Sequence, residues 1–219
     1  MNNSSREQGR NRLIDELTED LTPVRAFNPR DGVALVAGAL ALTVSGIAAI
    51  AGLRAGLGTT MPSPYFLIAN LLLLGVGLAA ATAVVAMAGP RVGNRHDAPK
   101  WALAMAAVLP LAALASLAGQ GHVESDMMHD AAGWRCMAYG TVDGLLAATA
   151  MVLWLRRGAP VSPERAGWWT GIAAGGLGSA AYGMHCPVDT LAHLGIFHML
   201  PVLIAGIAGR IAIPPLLRW

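Results

Sequence analysis

Residues 65–88, YFLIANLLLLGVGLAAATAVVAMA, run for 24 positions without an Asp, Glu, Lys or Arg. A stretch of about 20 mostly apolar residues is what a helix needs to cross the hydrocarbon core of a bilayer. Comparable stretches recur at roughly 33–53, 101–119, 137–155, 166–184 and 194–213, each bounded by Arg, Pro or polar residues. The expected fold is therefore all-α: an integral-membrane bundle of six transmembrane helices over residues 32–219, surrounded by membrane lipid. Charged residues make up 13 % of the 219 and hydrophobic residues 55 %, whereas soluble domains carry about a quarter charged residues. Small residues crowd the spans, as at Gly171, Gly175, Gly176 and Gly178, so helix backbones should approach closely. Tyr65, Trp101, Trp134, Trp154, Trp168, Trp169 and Trp219 fall near span ends, where interfacial anchors belong.

The few charges are sorted. Thirteen of the fifteen Lys and Arg lie in the amino-terminal segment, the second and fourth loops and the carboxyl end, leaving Arg54 in the first loop and Arg135 in the third. Cytoplasmic loops retain basic residues, so the expected placement is a multi-pass protein of a bacterial inner membrane with both termini cytoplasmic. The polar lead of 31 residues lacks the basic start and short apolar core of a cleaved signal, and a retained amino terminus is expected. Outside short loops no basic patch exists, which argues against direct nucleic-acid binding.

Residues 1–31 form a separate cytoplasmic unit. Within NRLIDELTEDL at 11–21, Leu13, Ile14, Leu17 and Leu21 recur at helical spacing, with Asp15, Glu16, Glu19 and Asp20 opposite. Acidic residues suit a negative inner leaflet poorly. An amphipathic helix of this kind fits a protein groove with a basic rim. Leu13, Ile14, Asp15, Leu17, Asp20, Leu21 and Pro23 are the expected partner-binding residues, with Pro23 and Pro29 closing the helix and starting a tether.

The predicted outward face collects soft ligands. Cys136 and Cys186 lie there, with His122, His129, His185, His193 and His198. Thiolate and imidazole are ligands of zinc and copper, so a transition-metal ion, copper or zinc, is a candidate signal, with no cofactor required. The metal candidates are His122, His129, Cys136, His185, Cys186, Asp189, His193 and His198. Pro187 suits a first helical position, which places Asp189 in a first turn and four residues before His193, as a partner that could orient that imidazole. His193 and His198 are five apart, about 140° around a helix; one metal held by both needs a bend, for which Pro201 is the candidate, or two sites. The cysteines admit three readings: a structural disulfide, a thiol pair that switches with oxidant or metal, or inert buried thiols. Asp143 lies two turns beyond Cys136 and is an intramembrane polar residue, open to relay, proton-conducting or hydrogen-bonding roles.

LIDELTEDLTPVRAFNP at 13–29, Arg135-Cys136, RRGAP at 156–160, HCPVDTLAHLGIFH at 185–198 and the closing LLRW together resemble the NrsF family of six-helix integral-membrane anti-sigma factors. The resemblance covers nearly the whole chain and departs at Phe197, where a tryptophan is expected. It implies no enzyme. It implies sequestration of an extracytoplasmic-function (ECF) sigma factor through Leu13 to Pro23, release under heavy-metal (copper-like) or oxidative stress, and sensing by Cys136 and Cys186. Two other functions remain open on the residues alone. A metal or proton transporter would use Asp143, Asn70 and the outward ligands, while a metal- or haem-binding membrane enzyme would use histidine pairs.

Overall fold

A computed structural model describes residues 3–19, 28–59, 61–89, 98–120 and 130–217 of the chain. Regular structure among them is helical: α1 Asn3–Glu19, α2 Pro29–Ile50, α3 Pro64–Met87, α4 Ala98–Ala106, α5 Val108–Gln120, α6 Ala131–Leu155, α7 Pro163–Gly183, α8 Leu191–Phe197, α9 Leu200–Ala212 and a 3-10 turn Pro214–Leu217. Helix starts follow local chemistry. Pro29, Pro64 and Pro163 each open a helix after Asn28, Ser63 or Ser162, because a first-turn proline has no amide to lose. The Asn28 and Ser63 side chains cap by accepting from the Arg30 and Phe66 amides, each at 3.1 Å.

Among the described residues, five helical segments are long and apolar enough to cross a membrane: α2, α3, Lys100–Ala118 across α4 and α5, α6, and Leu191–Ala212 across α8 and α9. The fifth expected stretch is α7, whose 21 residues include the Gly-rich run GIAAGGLG. It packs against α3, α6 and α9 at the centre of the bundle, and nearly all of it is buried. A helix surrounded by other helices meets little lipid, so small residues serve it better than large apolar ones. A Cβ on Gly171 would collide with the Ala205 carbonyl, and one on Gly178 with the Gly144 amide and Gly140 carbonyl.

Several expected boundaries shift. The third stretch is two helices, because Pro110 has no amide for the carbonyl of Ala106 and the helix breaks at Ala107. α6 begins at Ala131, six residues before the expected 137, under the cap of Asp130, which places Cys136 inside a helix rather than at a loop entry. The last stretch divides between Phe197 and Leu200, just ahead of Pro201, so of the two arrangements open to His193 and His198, a bend or separate sites, the chain has the bend. Trp154 and Trp169 are buried rather than interfacial; the Trp154 indole donates to the Val85 carbonyl at 3.1 Å. A short loop follows α2, turning on Gly52, Gly56 and Gly58, whose positive φ angles of 79°, 83° and 93° other residues rarely adopt.

Candidate metal centre

Cys136 projects from the second turn of α6, Cys186 from the segment after α7, His193 from α8, and His198 caps the end of α8. All four are buried, and one donor atom from each lies within 4.8 Å of the others. The sulfurs are 3.5 Å apart, and Cys186 Sγ is 3.4 Å from His193 Nε2. A tetrahedral zinc site with bonds near 2.3 Å to sulfur and 2.0 Å to nitrogen has edges of about 3.3–3.8 Å. The set fits such an ion also in charge, since two thiolates and two neutral imidazoles leave a divalent cation with no net charge to bury.

Both imidazoles are oriented from behind. Asp130 accepts from the Gly133 amide through Oδ1 at 2.7 Å, and its Oδ2 lies 3.0 Å from His193 Nδ1. Neutral His193 therefore keeps its proton on Nδ1 and presents the Nε2 lone pair toward Cys186. Burial raises the Asp130 carboxyl, but the bonds from His193 and Gly133 outweigh it and hold the group below the ordinary carboxylate range. At His198, the Ser179 hydroxyl donates to the His198 carbonyl at 2.7 Å and lies 3.4 Å from His198 Nδ1. Its remaining lone pair faces Nδ1–H, which leaves His198 Nε2 as a lone pair. That atom is fully buried and has no hydrogen-bond partner, an arrangement that costs roughly 1–3 kcal/mol unless something binds it. The hydrogen bond from the Cys136 thiol holds Cys186 below the usual cysteine range, against the opposing effect of burial.

The structure divides the residues expected to act here. Cys136, Cys186, His193 and His198 meet at one point. Asp189 does not orient His193: it forms a bidentate pair with Arg54 at 2.6 and 2.8 Å, and α8 starts only after Thr190, whose hydroxyl caps it by accepting from the His193 amide. Residues 186–190 are not helical, and Pro187 opens no helix. His185 lies outside the cluster, with Nδ1 2.9 Å from the Gly52 carbonyl. His122, His129, Asp20, Leu21 and Pro23 lie outside the described residues. Leu13, Ile14 and Leu17 are on α1 and exposed.

Three contributors escaped the sequence reading. Asp130 has a cap's signature, an acid just before an apolar run. Arg54 had one too, as an arginine on the face that basic residues avoid. Ser179 sits in a Gly-rich run with nothing to distinguish it.

No solved structure matches the chain. A curated protein of Caulobacter vibrioides, named Anti-sigma-F factor NrsF, is 32 % identical over 219 residues, covering 94 % of this chain and 98 % of that protein. The family model described as NrsF, negative regulator of sigma F, matches residues 17–219, and the chain belongs to this family.

Proposed function

We propose that this protein is an inner-membrane anti-sigma factor that holds an ECF sigma factor through its amino-terminal segment and releases it when the Cys136–Cys186–His193–His198 site is engaged by metal or oxidant. The reading includes α7 as a sixth span, both termini on the cytoplasmic side, and residues 1–31 as the partner-binding unit. The observation that carries the sensing part is the convergence of four buried donors whose two imidazoles are pre-set by Asp130 and Ser179. Transport or membrane enzymology would need further reactive groups along the bundle, whereas these donors are already complementary to each other.

Coupling follows from the chain path. When bound, a soft cation such as zinc or cuprous copper would supply the charge that holds two thiolates and two imidazoles together. Cys186 belongs to the segment 184–190, which is fastened to the loop after α2 by Arg54–Asp189, by the Arg54 amide on the Met184 carbonyl at 2.9 Å, and by His185 on Gly52. A shift of Cys186 therefore pulls the end of α2. The other end of α2, at Pro29, adjoins the segment that follows α1. α2 is the lever between site and partner helix, and most of its surface faces away from the bundle.

Driving release from 1:99 to 99:1 requires about a 10⁴-fold preference of the stimulus for the released state. Four donors on one ion supply that scale more readily than a single histidine. The test is co-purification from membranes with a small sigma factor, with and without residues 1–25, in the presence of zinc, copper or chelator. Retention of the partner by the truncated protein overturns the handle; metal-insensitive retention by the full chain overturns the sensor.

A further inference from the structure

A cleft of about 740 Å³ lies between α2 and α6 and reaches the two sulfurs. Its rim is made of exposed apolar side chains of the spans, including Leu42, Ile50 and Val142, so in a bilayer it opens to acyl chains. Along its open wall the rings of Tyr139, half exposed, and Tyr182 stack, with centroids 5.4 Å apart and planes inclined by 18°. Arg135 stands beside them, and Cys136 and Cys186 form the inner wall. The volume falls in the range of small-molecule sites, about 300–1,000 Å³. An acyl chain would have no use for the aromatic pair, the guanidinium or the thiols. A flat, lipid-soluble ring bearing carbonyl oxygens uses all three: stacking on the tyrosines, hydrogen bonds from Arg135 and the phenols, and electrons from sulfur.

We propose that this cleft binds a lipid-borne quinone, which oxidises the Cys136–Cys186 dithiol. The Cys136 S–H bond breaks, Cys186 enters as the thiolate, and one S–S bond forms between residues 136 and 186, the second proton of the reduction being drawn from solvent. The two electrons and two protons pass to the quinone, which leaves as the hydroquinone. The sulfurs, now 3.5 Å apart, close to a disulfide bond of about 2.0 Å. Oxidation removes two of the four donors, so a quinone and a metal exclude each other at this site. The inference deepens the sensing reading and rests on it for the effect on the partner, but not for the chemistry at sulfur.

The test uses the full chain, reduced, in nanodiscs without oxygen. Decylubiquinone is added, hydroquinone is followed by absorbance and the cross-link by mass spectrometry, and zinc stoichiometry is measured on the same preparation. Equimolar hydroquinone and a 136–186 disulfide are expected, both blocked by prior zinc. A Cβ at Gly46, on the α2 wall, meets nothing within 4 Å, so Gly46→Trp should fill the cleft without disturbing the fold. It should slow the reaction by an order of magnitude with zinc binding retained, and Tyr139→Ala should slow it likewise. Thiols that stay reduced, or a Gly46→Trp rate equal to that of the unmodified chain, overturn the proposal. Loss of zinc binding in the unmodified chain would instead overturn the metal reading.

Discussion

Arg54 and Asp189, 135 positions apart in sequence, meet in a two-pronged ion pair, with the Arg54 guanidinium also lying 4.4 Å above the Phe66 ring. This pair fastens the end of α2 to the segment that carries Cys186. Arg54→Ala should weaken the fastening by about 2 kcal/mol, the scale of hydrogen bonds between charged groups. Exchange of the Arg54 amide, which donates to Met184, should accelerate accordingly. The pH dependence has a definite sign. The bond from Arg54 lowers the Asp189 carboxyl despite opposing burial. Its stabilisation is therefore complete above the unfolded value of about 3.9 and is lost as pH falls through the lower folded value. Exchange in the unmodified chain and in Arg54→Ala should differ most at neutral pH and converge in strong acid; a difference that persists in acid would remove Asp189 from the account.

Asp130 reaches the centre through His193, whose Nδ1 it faces at 3.0 Å, and through the cap of the helix that carries Cys136. Asp130→Ala should weaken zinc binding by about 10- to 100-fold, the usual effect of losing a carboxylate behind a ligating imidazole. Asp130→Asn retains a capping oxygen for the Gly133 amide but not the charge, and should fall between the two. Chelator competition measures both, and equal affinities for all three proteins would show that His193 needs no orienting partner.

The bundle was legible in the sequence because its signal is additive: long apolar runs at 65–88 and 33–53 reveal a span whatever their neighbours do. The donors were legible as residue types clustered toward one face. Their grouping was not, because it depends on where helices break. Pro187 offers a plausible helix start, yet the helix begins only at Leu191 with Asp189 paired to Arg54 in the segment before it, and the gap between Phe197 and Leu200 brings together two histidines that a continuous helix would hold apart. Ser179 carried no signal at all, since a serine among glycines reads as packing until the partner across the helix pair is known.

His198 and His185 separate the centre from its fastening. His198 contributes a buried nitrogen with no other partner, whereas His185 bonds the Gly52 carbonyl outside the cluster. His198→Ala should lower zinc affinity by at least an order of magnitude, with cadmium or cobalt spectra showing one nitrogen fewer. His185→Ala should leave those spectra alone while loosening the loop after α2. Identical spectra for His198→Ala and the unmodified chain would exclude His198 as a ligand.

On α1, Leu13 and Leu17 are 55 % and 65 % exposed, which is costly to keep on a helix that meets no partner. Leu17→Asp should weaken sigma binding by roughly 10- to 100-fold, as expected for an apolar anchor, without changing the melting of the membrane bundle. Binding unchanged by this substitution would move the partner surface elsewhere.

The contact between α7 and α9 sets the last expectation. At Gly171 an added methyl meets backbone, the Ala205 carbonyl and the Gly206 Cα, rather than the movable end of a side chain. The two helices must separate to admit it, and separation propagates because α7 also touches α3 and α6. Gly171→Val should therefore cost more than the roughly 1–3 kcal/mol typical of overpacking and lower the thermal midpoint in detergent sharply. Gly38, on the open face of α2, has nothing within 4 Å of its added methyl, and Gly38→Ala should be neutral or slightly stabilising through helix propensity. Similar midpoints for the two variants would mean that α7 does not hold the bundle's centre.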